Sequence, residues 1–263
     1  MDLNLSGKRA IVCGSTQGIG KAIALELAEM GASITLVARN ESALKTVLTE
    51  LSASKGQNHD FVCADFTKPM ELKSAIEQRF QSGKESAHIL VNNTGGPPGG
   101  PIVSAHSDEF VNTFSSHLIC NHLLVQSVVE GMKAAGYGRI INVISTSVKQ
   151  PLKGLGVSNT IRAAVANWSK TLSLELAVFG ITVNNVLPGA TKTMRLVNLN
   201  KAKAEKTGKS VADLEHEMLV EIPAGRFAEA SEIANAVAFL ASPAAAYING
   251  INVPVDGGRT ACL

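Results

Sequence analysis

Short aliphatic segments alternate with longer helical patterns along almost the whole chain, and this alternation limits the possible folds more than any other feature of the sequence. The short segments are mostly too apolar to present a face to water, which is typical of strands in a parallel sheet covered on both sides. The predicted strands are Ala10–Cys13, Ser33–Ala38, Asp60–Ala64, Ile89–Asn92, Ile140–Ile144, Thr182–Val186 and Asn252–Val255.

The segments between these strands carry apolar residues at spacings of three and four, as helices packed on a sheet do. We therefore expect one α/β domain over residues 1–263, with a Rossmann-like doubly wound fold and a seven-stranded parallel sheet flanked by helices. The predicted helices are Lys21–Met30, Glu41–Ser54, Glu71–Gln81, Glu109–Ala134, Asn159–Val178 and Ser231–Ala241.

Two segments interrupt the alternation. Residues 95–101 read Gly-Gly-Pro-Pro-Gly-Gly-Pro, which suits neither a helix nor a central strand, so we expect a shaped loop after the fourth strand. Residues 190–222 hold an amphipathic segment after the sixth strand. Because ligands bind outside the carboxyl ends of strands in such folds, both segments are predicted to cover a substrate, the second as a lid.

Charge and cysteine content exclude several classes of protein. The 24 Lys and Arg residues against 22 Asp and Glu give a net charge of +2, without a block of like charge that would follow a nucleic-acid backbone. The four cysteines lie far apart without metal-ligand spacing, so we expect neither a disulfide framework nor a metal site. No apolar run reaches the ~20 residues of a membrane span and the first residues lack an apolar leader, so we expect a cytoplasmic protein without a membrane partner.

The first strand leads into Gly14-Ser-Thr-Gln-Gly18-Ile-Gly20 and then into a helix. A glycine-rich turn at a helix N-terminus is an anion site, because backbone N–H groups point at whatever lies above it. The spacing G-x-x-x-G-x-G fits neither a G-x-G-x-x-G fingerprint started at Gly18 nor a Walker A loop, since Ala22 follows Lys21. From these residues alone, a dinucleotide site and a turn that only allows close packing both stay open.

Further motifs, in order along essentially the whole chain, resemble those of the short-chain dehydrogenase/reductase family. Within that family the similarity is to proteins labelled 3-oxoacyl-acyl-carrier-protein reductases. The motifs are Asp65 after the third strand, Asn92-Asn93-Thr94-Gly95, Gly138 to Ser145, Pro188-Gly189 with Thr193, Ile222 to Arg226, and Val255-Asp-Gly-Gly258.

The resemblance implies a site for a nicotinamide dinucleotide. The glycine loop would hold its pyrophosphate, and later positions would meet the adenine, the ribose and the nicotinamide. The implied residues are Gly14, Ser15, Gln17, Gly18, Ile19 and Gly20 in the loop, Asp65 and Phe66 at the adenine, Asn93 and Gly95 at the ribose, and Pro188, Gly189, Thr191 and Thr193 at the nicotinamide.

The choice of cofactor depends on the end of the second strand, where an acid would bind the ribose 2′-hydroxyl of NAD. Ala38 stands at that place and Arg39 follows. A guanidinium can bind a 2′-phosphate through two parallel hydrogen bonds, so we expect NADP(H) to be preferred over NAD(H). A solvated surface arginine is the alternative interpretation of Arg39.

The implied active site departs from the family pattern, which has an Asn, a Ser, and a Tyr and Lys spaced Y-x-x-x-K. Ser145 matches the serine, whereas His117, Ser158 and Arg162 stand at the places of the Asn, the Tyr and the Lys. Arg162 would also take over the lysine's contact with the cofactor. A serine hydroxyl does not titrate in the working range of an enzyme, so Ser158 is a poor general acid.

Neither tyrosine of the chain repairs this loss, because Tyr137 and Tyr247 are not followed by a lysine four residues later. Three side chains are candidates to replace the missing tyrosine and lysine. His117 could donate a proton near neutral pH, Arg162 could stabilise a developing alkoxide, and Lys149 lies just after the serine. The alternatives are a locally satisfied histidine, an arginine that only binds the cofactor, and an exposed lysine.

These observations predict an NADP(H)-preferring oxidoreductase that reduces a small carbonyl compound or oxidises a secondary alcohol, with 3-oxoacyl thioesters among the candidate substrates. The rival hypothesis is a catalytically inactive NADP(H)-binding relative that acts as a sensor. Residues 191–210 carry six basic side chains against Glu205 alone, which would attract an anionic substrate unless they form only a solvated helix. The resemblance also implies a homotetramer or homodimer built on the predicted helices Glu109–Ala134 and Asn159–Val178.

Overall fold

The computed structural model describes residues 1–80 and 86–262 of the chain. Its centre is a sheet of seven parallel strands in the order β3-β2-β1-β4-β5-β6-β7. This confirms the predicted fold class. The strands are β1 Arg9–Cys13, β2 Ser33–Ala38, β3 Asp60–Cys63, β4 Ile89–Asn92, β5 Gly138–Val143, β6 Ile181–Pro188 and β7 Asn252–Val255.

Helices cover both faces of the sheet. Helices α1, α2 and α9 pack on one face and α3, α5 and α6 on the other, each with an aliphatic stripe against the strands. The described helices are α1 Gly18–Glu29, α2 Glu41–Glu50, α3 Pro69–Phe80, α4 Ser107–Phe114, α5 Cys120–Ala135, α6 Gly156–Leu176, α7 Met194–Thr207, α8 Val211–Val220 and α9 Ala230–Ala241.

Two predicted helices differ clearly from those observed. Helix α2 stops at Glu50 rather than at Ser54, because Leu51 adopts an extended conformation. The predicted helix over residues 109–134 is divided into α4 and α5 by a π-helical turn at Ser115–Ile119. The last residue of the predicted third helix, Gln81, lies outside the described residues.

The lid segment forms two helices rather than one amphipathic segment. Gly208, with a φ of 71°, ends α7 in the left-handed conformation that glycine adopts without strain. The Ser210 side chain then begins α8 by accepting a hydrogen bond from the backbone N–H of Asp213 at 3.1 Å. Two capping signals within three residues therefore divide the segment.

A row of asparagine side chains crosses the carboxyl half of the sheet. Asn92, Asn142, Asn185 and Asn252 stand opposite one another on β4 to β7. Each amide nitrogen donates to the next side-chain oxygen, at 2.8, 2.9 and 2.8 Å in turn. We call this row the asparagine ladder.

The four cysteines are free thiols, with Cys13 and Cys120 buried and Cys63 and Cys262 exposed. Among the described residues, no helix combines the length and the hydropathy that crossing a membrane requires.

Candidate active site

The glycine loop between β1 and α1 is closed so tightly that side chains cannot enter it. A Cβ atom on Gly20 would lie 2.1 Å from the Gly14 carbonyl oxygen, and one on Gly14 would lie 2.5 Å from the Asn93 carbonyl oxygen. Gly14 and Gly18 also have positive φ angles of 60° and 54°. Glycine is therefore required here by both space and backbone conformation.

The start of α1 presents backbone donors to the space above the loop. Gln17 flanks the helix in an extended conformation, and within the described chain its side chain makes no capping hydrogen bond. Ile19 is half-buried in the first turn. Ser15 is buried instead, and its hydroxyl accepts a hydrogen bond from the Val37 N–H at 3.1 Å. The unpaired N–H groups of the helix and its dipole make this an anion site.

Asn93 supports the loop from the next strand. Its Nδ2 atom donates to the Cys13 carbonyl at 3.2 Å and lies 3.5 Å from the Gly14 carbonyl. Sequence reasoning predicts contact of Asn93 with the ribose, whereas its amide nitrogen is engaged by the backbone of the loop. We therefore assign Asn93 a positioning role toward the glycine loop.

The residues predicted at the adenine end lie along the carboxyl ends of β2 and β3. Arg39 is exposed directly after β2. Asp65 is half-buried and accepts a hydrogen bond from the Thr67 N–H at 2.9 Å, the main cause of its lowered pKa, to which Arg39 and Lys68 also contribute. Phe66 is half-buried beside it against the core of that face. Arg39, Asp65 and Phe66 thus lie at one edge of the sheet.

The residues predicted at the nicotinamide end follow β6. Pro188 ends the strand, and the Gly189 N–H donates to the Val255 carbonyl at 2.9 Å. Thr191 is buried, and Thr193 caps α7 by accepting from the Leu196 N–H at 3.4 Å. Thr193 also faces the glycine loop, since its Cγ2 atom would lie 3.3 Å from a Cβ on Gly18. The predicted nicotinamide end of the site therefore adjoins the glycine loop.

Ser145, Ser158 and Arg162 come together around the end of β5. Ser145 lies two residues after the end of β5, and its Oγ accepts a hydrogen bond from the Ser147 N–H at 3.1 Å. Arg162 is 8% exposed, and its guanidinium donates to the carbonyl of Val143, the last residue of β5, at 3.0 Å. Ser158 is 7% exposed one turn earlier on the same face of α6.

Arg162 is a buried cation whose protein hydrogen-bond partner is a neutral carbonyl. Burial, followed by the nearby charge of Arg195, lowers the pKa of Arg162 to about 10, so its guanidinium stays protonated at neutral pH. Among the described residues, no carboxylate lies within 4 Å of it. Burying a charge without an opposite partner costs free energy. A negative charge that developed beside Arg162 would offset this cost.

The surroundings of His117 do not favour a role as proton donor near neutral pH. The ring is 3% exposed in the π-helical turn, and its Nδ1 lies 2.6 Å from the Thr94 hydroxyl oxygen. Burial, then the charges of Arg162 and Arg195, lower the pKa of His117 to about 3, against the smaller opposite effect of a hydrogen bond with the Gly95 backbone. The protonated ring is therefore not populated at neutral pH, and the neutral ring is a poor acid.

Lys149, the third candidate, is half-buried at the end of the 3₁₀ turn Thr146–Val148. Gly95 is exposed, and a Cβ there would meet no heavy atom of the described chain within 4 Å. The loop that begins at Gly95 thus leaves space directly beside His117 and Thr94.

Arg195 is a site residue that sequence reasoning counted only among the basic residues of the lid. Its guanidinium donates to the carbonyls of Gly96 at 2.8 Å and Pro97 at 3.1 Å. A Cβ on Gly96 would lie 2.4 Å from its Nη2 atom, so glycine lets the guanidinium lie against the loop. The sequence signal for this contact is the glycine-rich loop, because a glycine without a Cβ lets another side chain pack against the loop backbone. The lid and residues 95–101 are joined through Arg195.

The lid's other basic side chains are paired with carboxylates or exposed. Lys192 pairs with Glu229 at 2.5 Å, and Lys209 pairs with Glu217. Lys201, Lys203 and Lys206 are exposed on α7. Arg195 is the lid cation whose electrostatic effect reaches both Arg162 and His117.

Comparison with known proteins places the chain in a family. The sequence profile described as enoyl-(acyl carrier protein) reductase matches residues 14–260. The 3-oxoacyl-[acyl-carrier-protein] reductase FabG of Vibrio cholerae is 35% identical over 97% of this chain and 98% of the relative. The NADPH-dependent reductase BacG of Bacillus subtilis is 30% identical, again over 97% and 98%.

The structure of L-sorbose reductase from Gluconobacter frateurii, complexed with NADPH and L-sorbose, superposes with a TM-score of 0.92 at 32% identity and covers 100% of both chains. The expected preference for NADP(H) is confirmed at the level of these relatives, which are named as NADPH-dependent or were solved with NADPH. The fold, the matched profile and the relatives agree along the chain, which belongs to the short-chain dehydrogenase/reductase family.

Proposed function

We propose that the protein is an NADPH-dependent oxidoreductase that reduces a small carbonyl compound, or oxidises the corresponding secondary alcohol, with a guanidinium-based active site. The observation that carries the proposal is the buried, protonated Arg162, whose guanidinium donates to the Val143 carbonyl at the carboxyl end of β5, two residues before Ser145. A cation at this position stabilises the negative charge that develops on a carbonyl oxygen during reduction.

The glycine loop fits the cofactor. Gly14 and Gly20 let the loop close tightly at the N-terminus of α1, which offers backbone N–H donors to a pyrophosphate. Arg39, exposed after Ala38, suits a 2′-phosphate. NADPH bound there would supply a hydride.

The chain's own residues would do the rest of the chemistry. The Ser145 hydroxyl would donate a hydrogen bond to the substrate's carbonyl oxygen, and Arg162 would stabilise that oxygen as it becomes negative. Because Ser158 does not titrate and His117 is neutral, we propose that the proton comes from water held by the Ser158 hydroxyl. Loss of a positioned acid such as a tyrosine typically lowers a rate by ~10²–10⁴, so turnover should be slow.

A second candidate is a protein that binds NADP(H) without turnover. The neutral state of His117 favours it, because with a serine at position 158 the described site then holds no acid that titrates near neutral pH. In this case Arg162 would contact only the cofactor. Both candidates share the glycine loop and Arg39.

One experiment separates the two candidates. NADPH consumption is followed over a panel of ketones and 3-oxoacyl thioesters with the native protein, Ser145→Ala, and the double variant Ser158→Tyr with Arg162→Lys, while NADPH binding is titrated. Turnover that is lost in Ser145→Ala supports the enzyme. Inert binding of NADPH by the native protein, with activity gained by the double variant, supports the second candidate. Absence of NADPH binding contradicts both.

We also propose that residues 190–222 act as the lid over the site. Thr193 at the start of α7 contacts the glycine loop, and Arg195 two residues later contacts residues 96 and 97. Helix α7 therefore touches both the cofactor side and the substrate side. Limited proteolysis should cut this segment more slowly when NADPH is present.

A further inference from the structure

Two guanidinium groups meet at the substrate end of the site without a carboxylate to balance them. Arg162 is held by the Val143 carbonyl, and Arg195 by the Gly96 and Pro97 carbonyls. Within residues 1–80 and 86–262, neither guanidinium forms an ion pair within 4 Å. Arg195 thus lies against the segment that directly follows Thr94 and Gly95, and Arg162 is close enough to affect His117, whose ring contacts Thr94.

The positive charges of the two arginines are close enough to lower the pKa of neighbouring groups. Arg195 lowers the pKa of Arg162, and both arginines contribute to the low pKa of His117. Burial lowers the pKa of Arg195 as well. Burial disfavours charge of either sign, whereas the repulsion among these positive charges is relieved by an anion that pairs with the arginines, so a negatively charged ligand would be stabilised there.

The cofactor does not provide that negative charge. Under the proposed function, its phosphates lie at the glycine loop and at Arg39, whereas the nicotinamide itself carries no phosphate, and the two arginines are held at the Val143, Gly96 and Pro97 carbonyls. The substrate is the remaining group that could balance the two arginines.

We propose that the substrate is a ketone or secondary alcohol that carries an acidic group, a carboxylate or a phosphate, and that Arg195 binds this acidic group while Arg162 faces the reacting oxygen. This inference rests on the proposed function. It narrows the substrate to a class that the names of the relatives above do not indicate.

Arg195 has the capacity for this role. A guanidinium has five N–H donors, and two of them are used by the loop carbonyls, which leaves three for a ligand. The loop carbonyls orient the planar group, and oriented guanidinium groups bind carboxylates and phosphates through paired hydrogen bonds. The residue is also exposed in part, so an incoming substrate can reach it.

The test compares acids with matched neutral compounds. The native protein with NADPH is assayed on 2-, 3- and 4-oxo acids of one chain length, on the methyl ester of each, and on a ketone phosphate with its unphosphorylated alcohol. For the best acid we expect kcat/KM about ten- to a hundredfold above that of its neutral partner, because a charge-assisted contact is lost in the neutral compound. The effect should lie mainly in KM, and the phosphate pair identifies which acidic group is preferred.

Variants assign the preference to Arg195. In Arg195→Gln the ratio of acid to neutral compound should fall to about one, and Arg195→Lys should restore part of it. Lys201→Gln removes an exposed charge from the same helix and should keep the native ratio. Thermal unfolding of each variant checks that the fold is retained.

Three results would overturn the inference. The native enzyme could use neutral compounds as well as acids, the ratio could persist in Arg195→Gln, or Lys201→Gln could lower it as strongly, which would assign the preference to the general charge of the lid. In each case NADPH oxidation with some carbonyl compound would leave the proposed function standing. Failure of every compound, with NADPH bound, would instead count against the proposed function itself.

Discussion

The two ends of the candidate site are formed by different kinds of chemical group. At the cofactor end, the shape is made by backbone atoms and by glycines that leave no room for side chains, as at Gly14 and Gly20. At the substrate end, the character comes from long charged side chains that arrive from α6 and α7, Arg162 and Arg195. The first end is therefore defined by space and the second by charge, and the two should respond differently to substitution.

Removing the charge at the substrate end should have the largest effect. We expect Arg162→Gln to lower kcat by about 10²–10³-fold, as removal of one donor to a developing oxyanion does. Arg162→Lys keeps the charge and should retain more activity. Steady-state kinetics with NADPH measures both variants, and equal losses in the two would show that the charge is not what matters.

Adding a methyl group to the glycine loop at the cofactor end should have an intermediate effect. In Gly20→Ala the new methyl group would lie 2.1 Å from the Gly14 carbonyl oxygen and 2.7 Å from Asn93 Nδ2. We expect the free energy of unfolding to fall by about 1–3 kcal/mol, together with a clear loss of NADPH affinity. Chemical denaturation and NADPH titration measure the two quantities.

Gly100→Ala is the matched control, because a Cβ there meets no heavy atom of the described chain within 4 Å and the φ angle is not positive. Its unfolding free energy should change by less than ~0.5 kcal/mol. If Gly20→Ala behaved like Gly100→Ala, the glycine loop would be more adaptable than the distances indicate.

The effect that is smallest at neutral pH, and grows only in acid, concerns His117. Because the pKa of His117 falls from an ordinary 6.5 to about 3 on folding, the unfolded chain binds the proton first as the pH drops below 6.5. This residue therefore lowers stability by up to ~1.4 kcal/mol per pH unit between those values, and contributes no such loss above pH 6.5.

His117→Asn should remove that contribution, so native and variant proteins compared by denaturation from pH 7 to pH 4 should diverge as the pH falls. A parallel dependence in the two proteins would show that the ring is protonated in the folded state. The kcat profile of the native enzyme should likewise show no inflection near pH 6.5 that His117→Asn abolishes.

Sequence patterns predict the sheet, and the positions of Gly14, Ser145 and Arg162, because these depend on local periodicity and on motifs at fixed spacing. They do not predict the break of the lid at Gly208, where a capping conformation overrides the helical pattern on either side. They also miss the state of His117 and the role of Arg195. Both depend on charges brought together from α6 and α7, which are distant along the chain.

The asparagine ladder has a consequence for how the sheet assembles. Strands that are apolar on both faces have little to distinguish the correct alignment with a neighbour from one shifted along the strand. In β4 to β7, such a shift would separate the amides of Asn92, Asn142, Asn185 and Asn252 and leave buried donors without acceptors. The ladder thus selects one register for these strands. That register also fixes the position of Ser145, which follows β5, along the sheet.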